Sequence, residues 1–157
     1  MRKFLLIVLV ATVSSSAVNY SDEFAREFMF PLSAAAYSDE PERCLANRFT
    51  NATIYQKVTV SCRDLFDGNI CSGFIAVLHD QEAIVLSFRG TTKASQLVSE
   101  AVKSVFLKWY AWFGMGNVSR YFGNAMNTLW YEHGLSQHLL ELTKKYPNYE
   151  IWVSRGA

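Results

Sequence analysis

Residues 88–92, FRGTT, close the largely apolar run 83–88 and bring a guanidinium, a glycine and two hydroxyls together. If the run 83–88 is a buried strand, these residues stand at its C-terminal edge, where open α/β sheets bind their ligands. Taken alone, Thr91 is read as a turn hydroxyl capping a following helix. A second stretch, Trp152-Val153-Ser154-Arg155-Gly156, is G-x-S-x-G with tryptophan in place of the first glycine. That glycine permits the sharp turn of a nucleophile elbow, so a bulky ring there argues against an elbow at Ser154. A serine nucleophile also needs an imidazole base and a carboxylate that orients it. No acidic or imidazole side chain follows residue 154, and His79, His133 and His138 all precede it. His133 and His138 are five apart, not the four of a helical metal pair, and all three histidines are read as surface residues. No residue cluster implies a metal or a cofactor.

The run Trp109-Tyr110-Ala111-Trp112-Phe113 is rich in rings that by themselves would be core. Asn51-Ala52-Thr53 and Asn117-Val118-Ser119 are glycosylation acceptor triplets if the chain is secreted, and both are then expected on exposed segments. Of Cys44, Cys62 and Cys71, any two can pair in an oxidising compartment and one is left over. The spacing does not choose the pair. The third thiol is free, bridges two chains, or pairs with a residue beyond 157. The formal net charge is +1 with no basic cluster, so nucleic acid is not an expected partner.

The elements that would hold these residues begin after the leader. Arg2 and Lys3, an apolar stretch over 4–13, and small residues at Ser15 and Ala17 have the layout of a signal peptide, expected to span 1–17. Ten apolar residues fall short of the roughly 20 a spanning helix needs. The product is therefore expected to be secreted, extracellular and without a transmembrane segment after cleavage. Residues 20–38 are predicted helical, capped by Ser21 and kinked or divided at Pro31. Residues 39–52 are predicted irregular.

Residues 53–60 alternate as a strand, and 73–79 with 83–88 form an antiparallel hairpin around Asp80-Gln81-Glu82, the second strand buried on both faces. A helix over 94–108, an aromatic glycine-containing loop, a helical pattern over 119–145 weakened at Gly134 and stopped by Pro147, and a strand over 149–153 complete the chain. Strand, long helical crossover, strand is a right-handed βαβ unit, so an α/β fold with a partly parallel sheet is expected.

IVLSFRGTT, a long crossover, and KYPNYEIWV, preceded by AAAYSDEPERC and CSGFIAVLHDQEAIVLSFRG, resemble the class 3 (fungal-type) lipase family, especially its secreted animal members. The resemblance covers nearly all of 18–157. It implies a partial α/β-hydrolase fold and a family that cleaves glycerolipid or other esters with a Ser-Asp-His triad, using a lipid or ester substrate and no cofactor. By the resemblance Thr91 contributes to the oxyanion hole, Arg89 is a structural ion-pair partner, and Trp109, Trp112 and Phe113 lie where such lipases carry a mobile lid. In the family the strand after the KYPNYE-like turn runs into the elbow. Ser154 then falls at a strand position before it, and the nucleophile and its triad partners have no counterpart here. The expectation is a truncated, catalytically inactive N-terminal part of a lipase-like domain, with the last strand at an unpaired edge. The other expectation is a non-catalytic secreted lipid-binding or interaction protein.

Overall fold

A computed structural model describes residues 20–62, 70–90 and 109–156. The expected leader, the helix over 94–108 and Thr91 lie outside the described residues. The chain opens with one helical stretch in three parts: α1 (Asp22–Phe24), a π-helical turn (Ala25–Met29) and α2 (Phe30–Ala35). Ser21 caps it as expected, its Oγ accepting from the Phe24 amide at 3.0 Å. Pro31 stands in the first turn of α2, just after the π-helical turn. It has no N–H for the Glu27 carbonyl one turn earlier. Arg48 serves that carbonyl instead, its Nε donating at 3.3 Å while the guanidinium also pairs with the Glu27 carboxylate.

Residues 39–52 are not all irregular. Pro41 opens α3 (Pro41–Ala46), because at the first helical position the missing N–H costs nothing and its fixed φ suits the helix.

The sheet has four strands in the order β1 (Ala52–Ser61), β2 (Ile70–Leu78), β3 (Ala83–Phe88), β6 (Glu150–Arg155). β1, β2 and β3 run antiparallel in sequence, and β6 lies parallel to β3 with Val85 opposite Trp152 and Ser87 opposite Ser154. A bulge at Tyr55, between the register pairs of Ile54 and Gln56, reverses which side chains of β1 face each side.

Each face of the sheet carries its own core. On one side Phe74, Ala76, Leu78, Val85 and Trp152 pack with Leu32, Ala35 and Leu45 of the N-terminal helices and with Phe49 just after them. On the other, Val58, Ile75, Val77, Ile84 and Leu86 meet Leu129, Leu135 and Leu142. Strands buried on both faces are why AIVLSF is apolar but for Ser87 rather than alternating. Full burial of each large aliphatic or phenyl side chain, such as Phe74 or Ile75, contributes about 1.5–3 kcal/mol.

Two further elements differ from the sequence reading in extent or kind. The stretch 109–119 is a hairpin, β4 (Trp109–Ala111) against β5 (Asn117–Ser119), not a loop. Its turn contains Phe113, Gly114 and Gly116 at positive φ, which the two glycines adopt without strain. The helical pattern over 119–145 is α4 (Arg120–Asn127), a π-helical turn (Thr128–Glu132) and α5 (Leu135–Lys145). Gly134, left-handed at φ 75°, separates the last two. Cys62 and Cys71 form a disulfide joining the end of β1 to the start of β2, and Cys44 on α3 is a free, exposed thiol. Closing a loop of sequence separation 9 this way stabilises the fold by about 2.5 kcal/mol in a chain-entropy estimate.

Candidate active-site edge

The parallel pair β3 and β6 ends at one edge of the sheet. There the Arg89 amide donates to the Ser72 carbonyl at 2.8 Å and the Gly156 amide to the Phe88 carbonyl at 2.9 Å, carrying both strands to the rim. The Arg89 Nη2 donates to the Ile70 carbonyl at 2.6 Å. Among the described residues this guanidinium thus bonds a carbonyl rather than the carboxylate an ion pair requires, and its Nε is buried with no partner. Beside it opens a mainly apolar cleft of about 230 Å3, between Phe88, Arg89 and Gly90 of the rim and Phe122, Met126 and Leu129 of the crossover helix. The Arg155 guanidinium lies 5.7 Å above the Phe122 ring, closing one side of that cleft. At Gly156 the Tyr37 ring occupies the place a Cβ would take, so the last described turn of backbone presses directly onto the N-terminal helix segment.

Ser154 sits on β6 with 6% of its surface exposed. Its Oγ donates to Ser87 Oγ at 2.8 Å, and Ser87 Oγ donates to the Leu32 carbonyl at 2.9 Å. This short chain of hydroxyls ends on a carbonyl, with no imidazole to take a proton. It is a structural tie between strands and helix, and Ser154 occupies an interior strand position as the sequence reading expected. Ser87 was not singled out by sequence. Its only signal was a lone polar residue within the apolar run 83–88.

The histidines are not brought to this edge. His79 follows β2 at the opposite end of the sheet, half-buried, with Nδ1 3.3 Å from the Tyr149 hydroxyl and its ring edge-on to Tyr146. His138, also half-buried, stands on α5 against Tyr55, and His133 is exposed. Beside His138 the Glu141 carboxyl is held below the usual carboxylate range. The chief cause is the Gln137 amide donating at 3.0 Å, with His138 and the Tyr55 hydroxyl adding to it against the cost of desolvation. No group of three His, Cys, Asp or Glu side chains among the described residues has the arrangement to hold a metal ion.

The aromatic residues are spread along the β4–β5 hairpin. Trp109 and Phe113 are 58% and 66% exposed, Met115 still more so, and Trp112 packs edge-on to Phe113. Tyr110 anchors the hairpin on α4, its ring lying where a Cβ on Gly123 would be. Asn51 and Asn117 are both exposed. Among the described residues no helix is long and apolar enough to cross a membrane.

This geometry agrees with known proteins on two counts. Residues 85–154, from β3 to Ser154, match the model of the class 3 lipase family. A lipase of Caenorhabditis elegans is 34% identical over 139 residues, which are 86% of this chain and 37% of that relative. Among solved structures, the lipase of Rhizopus microsporus var. chinensis superposes with a TM-score of 0.65 at 16% identity, over 87% of this chain and 47% of that one. The Lip2 lipase of Yarrowia lipolytica does so with 0.63 at 19% identity, over 90% and 53%. The chain therefore spans about half or less of the relatives it matches. Its β3–crossover–β6 unit and N-terminal helices are part of an α/β-hydrolase fold, and the chain belongs to the class 3 lipase family.

Proposed function

We propose that this chain is the N-terminal part of a secreted, lipase-like ester hydrolase acting on glycerolipid or other esters. The observation that carries the reading is the family match over 85–154, which covers the parallel strand pair and the edge where an ester would lie. Ester cleavage passes through a tetrahedral oxyanion, and a preset donor at a strand edge holds that charge for roughly 3–4 kcal/mol. Thr91, one residue past Gly90 at that rim, is proposed as such a donor. The apolar tip of the hairpin, Trp112 and Phe113, is proposed to meet lipid, with Trp109 nearer its base. Exposing such rings costs less at a lipid surface than in water. Asn51 and Asn117 are proposed to carry saccharide on the secreted product.

The 157 residues contain no glycine-flanked elbow serine followed by an acid and a histidine. Hydrolysis by a serine triad is therefore proposed to need residues outside this sequence. The test is hydrolysis of short- and long-chain p-nitrophenyl esters. The 157-residue chain is expected to show no rate above background. A longer product containing it is expected to be active and to lose activity when its elbow serine is replaced. Turnover by the 157 residues alone would overturn the assignment of the triad elsewhere.

A further inference from the structure

The β4–β5 hairpin places one acceptor asparagine beside a tryptophan. Trp109 pairs with Ser119, and Ala111 with Asn117, across the two strands. Directly paired residues of an antiparallel ladder share a face, as do residues two apart on one strand. Asn117 and Trp109 are therefore diagonal neighbours on one face, a separation within reach of long and aromatic side chains. The residue directly opposite Asn117 is Ala111, small and exposed, so the paired side chain leaves the diagonal open. Asn117 is itself exposed, and the Trp109 indole shows 58% of its surface to solvent.

Trp109 is also one wall of a cleft of about 520 Å3, whose other walls are Tyr110, Arg120, Asn124 and Asn127. The last three recur at helical spacing on α4 and so present one face to the hairpin. The chemistry of this lining is that of a saccharide site. A flat indole can cover the apolar C–H face of a pyranose, two amides each donate and accept, and a guanidinium donates to hydroxyl and N-acetyl oxygens. Among the described residues no carboxylate lines it.

We propose that the saccharide carried on Asn117 folds back onto the Trp109 indole, its first N-acetylglucosamine covering the ring and the next sugar reaching toward Asn124 and Asn127. The proposal rests on Asn117-Val118-Ser119 being an occupied acceptor in a secreted chain. The attached sugar is the natural occupant because its point of attachment is on the same face as the cleft wall, so no search in solution precedes contact. Trp109 is then a glycan platform, and the lipid-facing part of the hairpin is its tip.

The test uses the glycosylated secreted protein. Peptide mass spectrometry first reads whether Asn117 carries saccharide. Hydroxyl-radical footprinting then compares oxidation of Trp109, Trp112 and Trp152 in this protein and in Asn117→Gln. Trp109 is expected to oxidise several-fold faster in the variant, with Trp112 unchanged and the 9%-exposed Trp152 reporting that the fold is intact. Asn51→Gln is expected to leave Trp109 as it was. If Asn117→Gln exposes Trp152, the same comparison is made by enzymatic trimming of the folded glycoprotein, where one remaining N-acetylglucosamine is expected to keep Trp109 protected. Equal Trp109 rates with and without saccharide would overturn the proposal. An Asn117 peptide without saccharide removes the acceptor reading itself, which its mass distinguishes. Protection of Trp109 in Asn117→Gln only on adding phosphatidylcholine vesicles would assign the indole to lipid and overturn the proposal too.

Discussion

A serine hydroxyl is a nucleophile only when a neighbouring base takes its proton. Ser154 and Ser87 have each other and the Leu32 carbonyl instead, so their worth is in stability. Removing Ser87 strips the link in the middle and leaves two buried groups short of a partner. Removing Ser154 leaves the Ser87 to Leu32 bond in place. Ser87→Ala is therefore expected to cost about 2 kcal/mol and Ser154→Ala about 1 kcal/mol. The double variant is expected to cost less than their sum, because both act through one chain. Urea unfolding checks this, and equal, additive losses would show that the hydroxyls act independently. That Ser154 stands on a strand was legible, since the turn at Lys145-Tyr146-Pro147 anchors the apolar run that contains it. The Ser87 contact was not, because which polar residue meets which across parallel strands depends on register, which sequence does not carry.

Between elements, one exposed polar contact joins α5 to the bulge of β1. Glu141 accepts from Gln137 on its own helix and from the Tyr55 hydroxyl across the gap. Its carboxyl is lowered in the folded chain, so ionised Glu141 favours folding. That contribution is complete above the unfolded glutamate value and is lost as pH falls through the folded one. Stability is expected to decline on acidification through this window. Glu141→Gln, measured by thermal unfolding from pH 3 to 7, is expected to flatten that part of the curve, by a small amount because the group is exposed and screened. An unchanged acid limb would place the dependence on other carboxylates. Apart from the short α3, the described helices and the sheet strands were legible from apolar period, and the crossover's break before α5 from Gly134. The hairpin at 109–119 was not. Three residues per strand are too few for alternation to show, and what holds it is Tyr110 against Gly123, a contact between elements.

At the scale of the molecule, the two faces of β6 are unequal. Trp152 and Ser154 point into the core beneath the N-terminal helices, while Ile151 and Val153, on the other face, are 50% and 61% exposed. The helix that covers that face over β1, β2 and β3 does not extend to β6, which is the edge strand among the described residues. The α/β class and the parallel pairing were legible because an apolar strand, a long crossover and a second apolar strand leave few other topologies. That the last strand carries apolar residues on both faces was also legible in Ile-Trp-Val, although Ile151 and Val153 are exposed rather than buried. An edge strand with two exposed β-branched residues is a template for pairing with another chain. The 157-residue chain is expected to self-associate at micromolar concentration, read by light scattering. Replacing Ile151 and Val153 by threonine keeps strand propensity while making that face polar. The double variant is expected to shift the population toward monomer with the same far-ultraviolet spectrum. If it associates as strongly as the parent, the contact lies elsewhere, and the exposed rings at the tip of the β4–β5 hairpin become the surface to change next.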